Sequence, residues 1–156
     1  MPATPRNLGL LVRDLGSSQL NLSLWMGLSR PDLPFVTTLF YEMPASPLGE
    51  MPCAAMPLYE AWTFPGPLVC TRLSQVQRAI RIVFPSRLFF WAQDLEWLRP
   101  GVFAYEALAP LYRHPEITLL ARCTDHQRVL EDAWNRPVQA VVEEGDLEGL
   151  WRVVSS

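Results

Sequence analysis

Short apolar runs recur along this chain, each closed by a turn and followed by an amphipathic stretch, and that alternation constrains the fold more than any other feature. The runs are Leu8 to Val12, Phe35 to Tyr41, Pro67 to Cys70, Arg87 to Trp91, Ile117 to Ala121 and Val138 to Val142. They lack the strict apolar–polar alternation of a half-solvated sheet, so they suit strands covered on both faces. Ser17 or Ser18 is placed to cap a helix with Leu20, Leu24, Trp25 and Leu28 on one face. Ser74 opens another, with Val76, Ala79, Ile80 and Val83 as its apolar stripe. Gly101 to Tyr112 is a third, irregular near its end because Pro110 lies inside it. Asp125 to Asn135 is expected to turn Val129, Leu130, Ala133 and Trp134 inward. Asp146 caps a last helix with Leu147, Leu150, Trp151 and Val154 on one side. Such an order predicts one Rossmann-like α/β domain over residues 1–156. It would have three layers and a mostly parallel sheet of about six strands with right-handed crossovers.

Residues 42–67 break the pattern. Pro44, Pro47, Pro52, Pro57, Pro65 and Pro67 fall there, and proline removes a backbone donor and fixes φ. A long ordered excursion over the sheet edge or mouth is expected, with a short helical turn near Leu58 to Trp62. Tyr59, Trp62 and Phe64 favour an ordered course over a disordered one.

Composition narrows the chemistry. All 13 basic residues are arginine, so Schiff-base chemistry and a phosphate-binding lysine are excluded. The net charge of −3 runs against nucleic-acid binding, which favours a basic excess. Cys53, Cys70 and Cys123 are far apart and odd in number, which fits neither a zinc site nor a disulfide framework. Met1 to Asn7 is too short and polar for a signal peptide, and no apolar run is long enough to span a membrane. A soluble, cytoplasmic protein in a reducing compartment is expected, without membrane contact.

In open α/β sheets, ligands bind at the carboxyl ends of the strands, near the point where strand order reverses. After the first run, Asp14, Ser17, Ser18 and Gln19 lie where helix amides could hold an anion. Glu42 follows the second run, and Arg122 follows the fifth, where its planar fork suits phosphate. The most distinctive stretch is Phe89 to Trp97. Asp94 and Glu96 sit there among large aromatics and are the candidate acid–base pair, with Trp97 beside them to stack on a sugar or base. The competing expectation is structural: Asp94 caps a turn, Glu96 is solvated, and Trp91 and Trp97 fill core. Cys123 and His126 are close in sequence but lack an evident orienting group, and the helix dipole would disfavour charge on His126. Neither a G-x-G-x-x-G fingerprint, a P-loop nor a G-x-S-x-G elbow is present, so no cofactor is expected.

The stretch Ile117 to Val154 carries a strand, a polar turn, a helix, and then Pro137-Val138-Gln139-Ala140-Val141-Val142-Glu143-Glu144-Gly145-Asp146-Leu147-Glu148-Gly149-Leu150. It resembles the end of the N-terminal domain of GT-B glycosyltransferases, over about a quarter of the chain. In that family a C-terminal domain holds most of the sugar nucleotide. The resemblance therefore implies an acceptor-side half.

Function is left with three expectations. The first is a non-catalytic binding or assembly module, with a protein partner or self-association through the 42–67 loop. A component of a multisubunit complex or phage particle, hence of a virion, would fit. The second is a small glycosyltransferase-like enzyme using a nucleotide sugar, with Asp94 or Glu96 as base. The third is a nucleotide-sensing regulatory domain that binds at Asp14 to Gln19 without turnover.

Overall fold

The computed structural model describes residues 6–99 and 105–156. Its strands are β1 (Asn7–Val12), β2 (Val36–Tyr41), β3 (Ala54–Pro57), β4 (Leu68–Cys70), β5 (Leu88–Ala92), β6 (Thr118–Ala121) and β7 (Ala140–Val141). The helices are α1 (Gln19–Leu28), α2 (Leu73–Ala79), α3 (Tyr105–Tyr112), α4 (Thr124–Trp134) and α5 (Leu147–Val154). All seven strands form one sheet in the order β3-β2-β1-β4-β5-β6-β7, and every pairing is parallel. The chain is a Rossmann-like three-layer α/β domain.

Parallel pairing explains the continuous apolar runs. Successive strand residues point to opposite faces, and both faces are covered. Leu8, Leu10 and Val12 of β1 join Val69, Trp91 and Leu120 in one core with Leu24 and Leu28 of α1 and Leu147, Leu150 and Val154 of α5. Leu11, Leu68, Cys70, Phe90 and Ala121 face the other way, onto Val76 of α2, Leu108 and Tyr112 of α3, and Leu130 and Trp134 of α4. At the sheet centre Leu10 pairs with Leu39 on one side and Val69 on the other.

Two features differ from expectation, and a third lies partly beyond the described residues. The Pro-rich stretch holds a seventh strand, β3, followed by a 3-10 turn at Leu58–Thr63. As the edge strand it needs donors on one side only, which is where proline is tolerated in a sheet. Val129 lies on the outer side of α4, at 38% exposure, because Leu130 and Trp134, four apart, define the buried stripe. The expected helix start at Gly101 lies outside the described residues, and α3 runs from Tyr105 with Pro110 inside it. The α4 helix ends at Asn135 in the left-handed region (φ 48°), and Gly145 (φ 87°) turns the chain before the α5 cap.

Candidate functional site

The order of strands places a switch between β1 and β4. A chain that leaves β1 in one direction and β4 in the other opens a gap between its loops. A crevice of about 540 Å³ lies there.

Its first wall is the turn from β1 to α1. Ser18 caps α1 by accepting from the Asn21 N–H at 3.1 Å. Asp14 Oδ1 accepts from the Gly16 N–H at 2.8 Å. Asn21 is buried, and its amide donates to the Asp14 and Gly16 carbonyls, each at 2.8 Å. One asparagine thus fixes the shape of the whole turn, and Ser17, Ser18 and Gln19 are presented to the crevice.

The opposite wall comes from beyond β4 and β5. Thr71 donates to the Leu11 carbonyl at 2.8 Å, which ties β4 to β1 at the crevice floor. Gln75 accepts from the backbone N–H of Thr71 and of Arg72 at 2.7 and 3.1 Å, which leaves the Arg72 side chain at the wall. Asp94 accepts from the Leu95 N–H at 2.7 Å and from Arg99. Glu96 accepts from the Leu73 N–H at 3.0 Å and so caps α2 from a distance in sequence. Arg122, beyond β6, and Glu144, beyond β7, complete the rim, and Glu144 accepts from the Ser23 hydroxyl at 2.8 Å.

Of the residues singled out from sequence, Asp14, Ser17, Ser18, Gln19, Asp94, Glu96 and Arg122 meet at this crevice. Two do not. Glu42 is tucked beneath α2, where Ser74 donates to it at 3.2 Å and Arg78 lies 3.8 Å away. Trp97 packs edge-on against Tyr112 and Trp134, with centroids 5.3 and 5.2 Å apart, and so belongs to the core. Arg72, Arg99 and Glu144 were not singled out, although Arg72 and Glu144 follow strand ends and were findable by position. Arg99 is reached only by the turn after Glu96 and has no sequence signal.

Charge at the crevice is unevenly committed. Arg13 lies 3.9 Å from Asp14, and Arg99 is bound to Asp94. Neither Arg72 nor Arg122 forms an ion pair among the described residues. The α4 helix starts two residues after Arg122 and has no side-chain cap, so its first amides are unclaimed by the cap residue Cys123. Burial, then the Arg122 charge, hold His126 below the ordinary imidazole value, so it is neutral at neutral pH. Burial thus acts in the direction that the helix position also suggested, against charge on His126. No group of three or more potential metal ligands occurs among the described residues, nor is any described helix long and apolar enough to cross a membrane.

Glu96 supplies a pH test. Burial pushes its carboxyl above the ordinary value, against the pull of the Leu73 N–H, Arg72 and Arg99. A carboxyl raised in the folded state binds protons better there than when unfolded. Its stabilising share is present below the ordinary carboxylate value and is lost as pH rises through the raised one. Glu96→Gln keeps an acceptor for Leu73 and abolishes the titration. The variant is expected to match or exceed the parent in urea midpoint at neutral pH, with a flatter profile above the ordinary carboxylate value. A variant as pH-sensitive as the parent would place the titration elsewhere.

Comparison with protein-family models, with curated proteins and with solved structures finds no match. The likeness of residues 117–154 to the glycosyltransferase domain therefore rests on sequence alone.

Proposed function

We propose that this chain is a non-catalytic binding module that takes a small anion in the crevice between β1 and β4. One observation carries the reading. The carboxylates of the crevice already accept hydrogen bonds from the chain itself, whereas Arg72 and Arg122 form no ion pair among the described residues. A general base needs a free carboxylate within reach of a substrate proton. Asp94 and Glu96 are instead spent on Arg99, Leu95 and the α2 cap. Unpaired guanidinium groups favour a ligand that brings negative charge, and the α1 amides add to them.

Inorganic phosphate is expected to raise the melting temperature in a saturable way beyond the effect of chloride at equal ionic strength. Arg72→Gln with Arg122→Gln is expected to abolish the rise and leave the circular dichroism spectrum unchanged. A parent protein that phosphate does not stabilise would end the reading.

A second reading, assembly through the 42–67 segment, is favoured by exposed apolar side chains there. Trp62 is 63% exposed and Tyr59 66%, while Met43 and Met56 are also open to solvent. Light scattering on the same preparation decides it: a monomer at every concentration removes self-association.

A further inference from the structure

We infer that the ligand of the crevice is a phosphorylated polyol, of which a sugar phosphate is the simplest form, and not a nucleotide. The inference rests on the anion-site reading and names the chemistry that site selects.

The first argument is that no described lining residue offers a ring to stack on. Leu20 is the one large apolar side chain among the described lining residues, and none of them is aromatic. The aromatics nearest the strand ends are committed elsewhere. Trp91 is fully buried and donates through Nε1 to the Val142 carbonyl at 2.9 Å. Trp97 packs edge-on against Tyr112 and Trp134. A nucleobase draws much of its affinity from stacking on a ring face, and the described lining of charged and polar side chains with Leu20 offers it none.

The second argument is the mixture of signs. Arg13, Arg72, Arg99 and Arg122 are interleaved with Asp14, Asp94, Glu96 and Glu144. A bare polyanion would gain from the first set and be repelled by the second. An ionised carboxylate only accepts hydrogen bonds, and each has about four lone-pair sites. Asp14 gives one oxygen to Gly16 N–H, and Glu144 gives one to Ser23, so each retains accepting capacity. Ligand hydroxyls are the donors that such acceptors take. The phosphate end then lies on Arg72 and Arg122 with the Ser17 and Ser18 hydroxyls, and the hydroxyl-bearing end lies on Asp14 and Glu144.

Titration calorimetry on the full chain, at fixed ionic strength, tests this. The probes are inorganic phosphate, glycerol 3-phosphate, ribose 5-phosphate, glucose 6-phosphate, glucose and adenosine monophosphate. At least one polyol phosphate is expected to bind about ten-fold or more tightly than inorganic phosphate, since one charge-assisted hydrogen bond gained is worth that much. Glucose is expected to give no heat, and adenosine monophosphate to bind no more tightly than ribose 5-phosphate. Glu144→Gln is expected to weaken the polyol phosphate several-fold while inorganic phosphate, relieved of a repelling carboxylate, binds at least as tightly, with the fold checked by circular dichroism. If none of the three polyol phosphates exceeds inorganic phosphate, or if adenosine monophosphate binds best, the inference is overturned and the anion site stands. If no phosphate of any kind gives heat, the anion site falls and the inference with it.

Discussion

Replacing Trp91 with alanine is expected to cost about 3–5 kcal/mol of folding stability, as for other large-to-small changes in packed cores. Trp91 is fully buried in β5, on the face covered by α1 and α5. Its indole N–H reaches the Val142 carbonyl, just past β7. Strand β7 pairs only through Ala140 and Val141, so this bond is one of few ties that hold the sheet's far edge. A typical domain is stable by about 5–15 kcal/mol, so the loss is a large share of the whole. The melting temperature is expected to fall by roughly 10 °C. Trp91→Phe keeps most of the ring and leaves the carbonyl unbonded, with an expected loss of about 1–2 kcal/mol. Trp62→Ala, at an exposed tryptophan, is expected to cost less than about 0.5 kcal/mol. Urea denaturation with a shared slope ranks the three. An order other than Trp91→Ala, Trp91→Phe, Trp62→Ala would refute the packing account.

Gly66→Ala is expected to have the next largest effect, about 3 kcal/mol or more. A Cβ at Gly66 would stand 2.2 Å from the Asn7 carbonyl oxygen and 3.0 Å from its carbon. Both are backbone atoms at the start of β1, so no side chain can rotate away. The collision separates β4 from β1 where the Gly9 N–H donates to the Pro67 carbonyl at 3.0 Å. It also disturbs the Gly66 carbonyl, which accepts from Arg87 at 2.7 Å. Overpacking of this kind commonly costs about 1–3 kcal/mol, and the loss here is expected at or above the top of that range because backbone must move. Gly49→Ala is the internal comparison. Nothing lies within 4 Å of its Cβ, so alanine there is expected to be neutral or slightly stabilising through the unfolded chain. Equal losses at the two glycines would show that chain entropy, and not collision, governs both.

Most of the sheet was legible because burial on both faces leaves a mark in sequence. Leu8 to Val12 and Leu88 to Ala92 are apolar throughout for that reason. Strand β3 left no such mark. Ala54 and Met56 face solvent, Pro57 ends the strand, and an edge strand is free of the demand that makes the others recognisable. Helix caps were readable where a side chain does the capping, as at Ser18 and Asp146. The α2 start was read to within one residue, at Ser74 against Leu73, but the carboxylate cap on its Leu73 N–H was not, because Glu96 is remote in sequence.

The candidate crevice was legible as a place more than as a set of residues. Position after a strand end brought Asp14, Ser17, Ser18, Gln19, Asp94 and Arg122 together. Type and neighbourhood misled at Trp97, whose three-ring contact is made by residues from α3 and α4. No local pattern announces such a meeting. Glu42 shows the same limit: it follows β2, but Ser74 and Arg78 draw it under α2.

The placement of β1 has a consequence for how the chain is made. This strand comes first in sequence yet lies in the interior of the sheet, with β2 on one flank and β4 on the other. During synthesis β2 and β3 emerge early and can cover one flank. The other stays bare until Leu68 to Cys70 leave the ribosome. For that interval the nascent chain carries an unpaired strand of leucine and valine, the kind of edge that recruits other chains. Translation speed between residues 42 and 70 thus sets how long that flank stays exposed, and has no bearing on the stability of the finished fold.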